Sequence, residues 1–187
     1  MAQVNDIDMV YFGNPVFDIT VDDPERTVMN KFSLELGMAS LATPEQMPIY
    51  TELWAREDKI IGAGGSALNS ARAQRFANPN GAIAYFGCIG NDDTGRTLSN
   101  EVAAAGVTAK LEVSETEPTS QCAVVVVGKE RTLCANIASA RKFTMDYLNA
   151  NMVSSEIPCR RHFSNLLFVS VGRPGEIKIS LHDGLFH

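Results

Sequence analysis

The order of apolar and polar positions divides the chain into short strands and helices. Asp8–Asn14 (DMVYFGN) is a brief apolar run closed by Gly-Asn-Pro, the pattern of a buried strand ended by a turn. Val16–Asp22 (VFDITVD) alternates, which predicts a half-exposed strand. Thr43 followed by Pro44 reads as a cap with proline at the first helical position, and that helix should run to about Arg56. Ser66–Phe76 (SALNSARAQRF) is helix-compatible, with Ala67, Ala71 and Ala73 allowing close packing. Gly81–Gly90 (GAIAYFGCIG) is apolar throughout and bounded by turn residues, as a strand buried on both faces of a parallel sheet would be. A helix should begin near Thr94 and stop at Gly106, followed by a strand over Val107–Glu115. Ser120–Ile137 reads as two strands joined by the turn Gly128–Arg131, and Thr144–Met152 opens a further helix.

Strands alternating with helices predict an α/β fold with a partly parallel sheet. The strands within 108–137 fall outside that alternation. With Val16–Asp22 they are expected to form a separate small sheet. Residues 158–187 break the pattern: an apolar stretch at Leu166–Val171 is followed by little that builds a domain.

A length of 187 residues suits one ordinary domain. The net charge of −6 argues against a basic nucleic-acid-binding face. No run approaches the ~20 apolar residues of a membrane-spanning helix, and the acidic N-terminus lacks the basic start of a signal peptide. A cytoplasmic protein is expected. Cys88, Cys122, Cys134 and Cys159 form no CxxC pair, and the first three sit among apolar neighbours, as buried thiols of a reducing compartment do. The histidines, His162, His182 and His187, have no ligand spacing, so no metal site is expected from this chain.

The candidate chemistry centres on Lys59–Phe76 (KIIGAGGSALNSARAQRF). A phosphate-cradling Walker loop needs a lysine before Ser or Thr, and none stands here. Gly62, Gly64 and Ala67 spell the G-x-G-x-x-A of a dinucleotide fold, but no acid ends the following strand. A plain helix-entry turn capped by Ser66 would leave Asn69 unexplained. A sugar-binding edge uses both features. The glycines let a ligand approach backbone N–H groups at a helix start, and the Asn69 amide both donates to and accepts from hydroxyls.

The stretch GAGGSALNSARAQRFANPNGAIAYFGCIGND, a Gly-Gly-then-Asn helix leading to a strand that ends Gly-x-x-Gly-x-Asp, resembles the N-terminal signature of the ribokinase-like (PfkB) carbohydrate and purine kinases. Within that family, GNPVFDI, GGSALNS and PTSQCAVVVVGKERTLCANIASA resemble the adenosine kinase branch, over residues 8 to about 152. The resemblance implies a central sheet flanked by helices and a small β lid from about 15–42 and 108–137. It implies transfer of the ATP γ-phosphate to the adenosine 5′-OH with Mg2+, giving AMP, in a full-length enzyme that is monomeric and located in the cytoplasm or also the nucleus.

On the same basis Asn14 and Asp18 would hold the ribose, with Gly64, Gly65, Ser66 and Asn69 around it. Leu41, Cys122, Leu133 and Ala135 would pack on the purine, and Arg131 would swing toward the transferred phosphate. From the residues alone, these positions equally suit a turn, a solvated strand, core packing and a solvated turn cation. The family often carries a polar residue where Ala39 stands, which implies one base contact fewer. The family's second signature, approximately D-T-x-G-A-G-D, supplies the anion-hole glycines and the catalytic Asp, and it does not occur in this chain. Residues 1–157 are therefore expected to be the nucleoside-binding half of the kinase, and 158–187 a divergent tail, produced by a frame change near Ile157 or an early stop. Two other functions stay open: a non-catalytic nucleoside-binding fragment or partner subunit, and a nicotinamide-dependent oxidoreductase.

Overall fold

The computed structural model describes residues 7–152. Two sheets share the work. The first has three parallel strands in the order β1 (Met9–Phe12), β5 (Ile83–Gly90) and β6 (Thr108–Ser114). All eight residues of β5 are buried, as its unbroken apolar run predicts. Helices α3 (Ser66–Ala77) and α4 (Asp93–Ala104) pack on this sheet, closing a core around Leu68, Ala71, Tyr85, Leu98 and Val102. On Phe12, Ala84 and Phe86 packs a second cluster with Phe143, Tyr147 and Leu148, the last two on α5 (Met145–Met152).

The second sheet has five strands in the order β3 (Ala39–Leu41), β8 (Glu130–Asn136), β7 (Gln121–Val127), β2 (Val16–Asp22) and β4 (Ile60–Gly64). Phe17, Ile19 and Val21 point from β2 to one face. There Ile19 and Val21 join Ala123, Val125 and Cys134 under α1 (Thr27–Lys31) and α2 (Pro48–Ala55). Trp54 of α2 stacks on Phe17 at 5.9 Å and donates its Nε1–H to Gln121 Oε1 at 3.1 Å. Asp23, buried just beyond β2, accepts from the N–H groups of Thr27 and Met29 and so starts α1.

Several sequence expectations change. The strand at 107–115, grouped with the lid, belongs to the first sheet: β5, α4 and β6 form a parallel β–α–β unit, in which the helical crossover brings β6 back beside β5. The helix begun at Pro44 is broken in two. Pro44–Gln46 is a 3-10 turn, and α2 starts afresh at Pro48, whose missing N–H suits a first turn. Helix α1 and strands β3 and β4 lie in stretches assigned no element of their own. Gly65, at φ +106°, is the N-cap of α3, so Ser66 is the first helical residue and not the cap. Residues 158–187, expected to diverge, lie outside the described residues, as do Cys159 and the three histidines.

The glycines and acid of the Gly-x-x-Gly-x-Asp stretch have separate structural jobs. A Cβ at Gly87 would lie 2.7 Å from Pro15 Cδ, so β5 must be bare where the β1–β2 turn crosses it. At Gly90 a Cβ would meet Thr119 N at 2.5 Å. Asp92 caps α4 through Gly95 N–H at 2.7 Å, and it also accepts from Thr119 N–H and Oγ1–H at 2.8 and 2.6 Å. Those bonds join the start of α4 to the segment that enters β7.

Candidate functional site

Strand register assembles the site. Asp18 lies opposite Gly62 of β4 on one side and Cys122 of β7 on the other; Cys122 faces Ala135 of β8, and Ala135 faces Leu41 of β3. Cross-strand partners project from the same face. Gly62, Asp18, Cys122, Ala135 and Leu41 therefore form one row across the whole five-stranded sheet, with one residue from each strand. At ~4.8 Å per strand, Asp18 to Leu41 spans roughly 14 Å, long enough for a sugar and a two-ring base laid end to end. The next row on this face is Ile60, Thr20, Val124, Leu133 and Ala39, and Val126 faces Arg131 in the row beyond. Beside these rows, Ala39, Val126, Leu133 and Arg131, with Gly37, Met38, Lys129 and Glu130, line a groove of about 510 Å3.

The polar end of the row is built by glycine. A Cβ at Gly64 would overlap the Asp18 carboxylate, so the absence of a side chain there is what lets Asp18 lie against β4. A Cβ at Gly65 would lie 2.5 Å from the main-chain oxygen of Asn14, so the two places where the chain crosses between sheets meet at this point. Ser66 and Asn69 follow on the first turn of α3, both exposed, and the Asn69 N–H donates to Gly65 O at 2.9 Å.

Burial pushes the Asp18 carboxyl up to about 6, an effect the positive charge of Arg131 partly offsets. Burial also pushes the Cys122 thiol up to about 12, with the neighbouring Asp18 charge adding to it. Cys122 is thus a compact apolar surface rather than a nucleophile. Arg131 is exposed at the start of β8.

The structure brings together Asp18, Gly64, Cys122, Leu133, Ala135 and Leu41 on one face, and it places Asn14, Gly65, Ser66 and Asn69 at the crossing beside it. Gly62 and Thr20 occupy the same face and were not singled out for this role; only the register reveals them. The G-x-G-x-x-A spelling does not correspond to a dinucleotide turn. Its glycines end an edge strand antiparallel to β2, whereas that turn follows a parallel central strand. Among the described residues no group of three or more His, Cys, Asp or Glu side chains converges as a metal site, and no helix is long and apolar enough to cross a membrane.

A parallel sheet clad by helices, joined to a second sheet whose open face carries the candidate site, defines a ribokinase-like α/β protein. Solved structures agree. The Anopheles gambiae adenosine kinase, crystallised with P1,P4-di(adenosine-5) tetraphosphate, superposes with a TM-score of 0.73 at 35% identity, covering 78% of this chain and 45% of that one. The Schistosoma mansoni adenosine kinase in complex with adenosine gives a TM-score of 0.71 at 25% identity, over 79% and 43%. Adenosine kinase 2 of Arabidopsis thaliana is 37% identical over 139 residues, which is 73% of this chain and 39% of that protein. Residues 54–157 match the model of the pfkB family carbohydrate kinases, and the chain belongs to that family. It spans about two fifths to one half of the length of the curated relatives it matches.

Proposed function

We propose that this chain carries the nucleoside-binding half of an adenosine kinase. The row Gly62–Asp18–Cys122–Ala135–Leu41 is the observation that carries the reading. Ionised Asp18 accepts hydrogen bonds from vicinal ribose hydroxyls, and Asn14, Ser66 and Asn69 complete the sugar site around Gly64 and Gly65. The purine lies over Cys122, Ala135, Leu133 and Leu41, a surface without charge. Held at the sugar and flattened at the base, the nucleoside has its 5′-OH fixed in one direction, and such orientation is a large part of catalysis in phosphoryl transfer. Arg131 supplies a cation on the same sheet for the phosphoryl charge.

In the proposed reaction the donor is ATP with Mg2+, and the products are AMP and ADP. The described residues do not fit that donor: no carboxylate cluster converges among them, and Gly64 and Gly65 lie against Asp18 and the Asn14 main chain. No step through it is assigned to this chain. The base that takes the 5′-OH proton belongs to the second signature, which this sequence lacks.

Titration calorimetry of the full chain with adenosine, beside an assay for AMP with ATP and Mg2+, tests both parts. Saturable adenosine binding without appreciable AMP formation is expected. Absence of binding removes the ribose reading, and sustained turnover shows that a base resides in this chain.

A further inference from the structure

Strand β4 is an edge strand with β2 as its neighbour in the sheet order. Phe17 faces Ala63 in that pair, and the Phe17 N–H is directed away from β4, donating to Ser120 O at 2.8 Å. Both main-chain groups of Ala63 turn outward in the same way, as they do at a non-hydrogen-bonded antiparallel pair. Another strand would normally meet them. Two side chains do so instead: Glu101 Oε2 accepts from Ala63 N–H at 2.7 Å, and Arg72 Nη1 donates to Ala63 O at 2.8 Å. An acceptor and a donor thus reproduce the two halves of a ladder step.

The two side chains come from different helices, Arg72 from α3 and Glu101 from α4, and both helices belong to the first sheet's layer. The clasp therefore crosses from one layer to the other. It acts on the residue between Gly62 and Gly64, the two glycines that border Asp18. A Cβ at Gly62 would stand 3.7 Å from Glu101 Oε2, so the carboxylate lies directly alongside this strand.

We propose that Glu101 and Arg72 are positioning residues of the nucleoside site, clasping the main chain of Ala63 so that β4 holds Gly62 and Gly64 against Asp18. The proposal rests on the reading of Asp18 as the ribose acceptor. Without the clasp, β4 is held by its pairing to β2 and by the Ala63 side chain, and it moves off the Asp18 carboxylate. Water then reaches Asp18, and the sugar pocket loses one wall.

The test uses the full chain and three variants: Glu101→Ala, Glu101→Gln and Arg72→Met. Adenosine affinity is measured by calorimetry at pH 8, the Asp18 carboxyl titration by carbon-13 NMR, and the exchange of the Ala63 amide by NMR. Glu101→Ala and Arg72→Met are expected to weaken adenosine about tenfold, to lower the Asp18 midpoint toward the ordinary carboxylate range, and to speed Ala63 exchange. Glu101→Gln keeps an acceptor oxygen for Ala63 N–H, so it should stay within about twofold of the parent in affinity. Folded Glu101→Ala and Arg72→Met chains with parental affinity and Asp18 titration overturn the proposal. So does a Glu101→Gln chain as impaired as Glu101→Ala, because the acceptor would then not be what matters. If Glu101→Ala does not fold, Glu101→Gln and Arg72→Met decide by the same criteria. If the parent chain binds no adenosine, the ribose reading fails by itself, and the Asp18 titration and Ala63 exchange judge the clasp: unchanged values in Arg72→Met reject it.

Discussion

At Asp18, burial between Gly62 and Cys122 raises the carboxyl to about 6. Because this folded-state value lies above that of an unfolded Asp, near ~3.9, the group's contribution to stability is fully present below the unfolded value. It is lost as the pH rises through about 6. At neutral pH the ionised carboxylate is therefore a burden on the free protein. Asp18→Asn should raise stability by ~1 kcal/mol at pH 8, after discounting for the screening of a partly exposed group, while removing the anionic acceptor and weakening adenosine by about a hundredfold. Thermal denaturation and calorimetry on the same variant check the two opposite signs. For the parent chain, adenosine binding should be about tenfold weaker at pH 5 than at pH 8, following the loss of the ionised form; a flat profile between those values would show that Asp18 is not the acceptor.

Gly64 gives a sharper separation of site from fold. Its added methyl would overlap the end of the Asp18 side chain rather than backbone. Gly64→Ala should displace the carboxylate and weaken adenosine by at least tenfold, with a smaller loss of stability than Gly65→Ala. At Gly65 both the positive φ and the Asn14 main-chain oxygen oppose a Cβ, and a cost of ~1–3 kcal/mol is expected. Chemical denaturation of the two variants measures the contrast.

At the scale of elements, Asp92 ties α4 to the entry of β7 through Gly95 and both polar groups of Thr119. Asp92→Ala removes a helix cap and leaves Thr119, itself buried, without its acceptor, so a loss of ~2–3 kcal/mol in a denaturant titration is expected. Asp92→Asn, which keeps an acceptor, should recover part of it. Elements were legible where their own pattern was strong: β5, α3, α4 and the β7–β8 hairpin lie within a few residues of the periodic segments that predict them. Strand β4 was not, because its glycines weigh against a strand and its support comes from β2 and from side chains on two later helices. Nor was the placement of β6, since pairing is a property of two strands and hydrophobic periodicity describes one. The same limit applies to the site. Asp18, Leu41, Cys122 and Ala135 carry no common local pattern, and only the family resemblance grouped them before register did. Nothing in their local sequence points Glu101 or Arg72 to Ala63.

For the whole molecule, the open face of the five-stranded sheet leaves apolar side chains in solvent: Met38 is 51% and Leu41 37% exposed, and Ile60 on the same face reaches 71%. Such a surface favours self-association unless something covers it. The chain should bind an environment-sensitive apolar dye, scatter light increasingly with concentration, and release the dye when adenosine is added. A dye signal that adenosine does not displace would place the exposed apolar surface elsewhere.

The row across the second sheet also has a use in engineering. One strand contributes one position, so the proposed sugar and base contacts are written at separate addresses: Asp18 with Gly62 for the first, Cys122, Ala135 and Leu41 for the second. A small combinatorial library at those last three codons would resculpt the base platform while leaving the sugar grip as it stands.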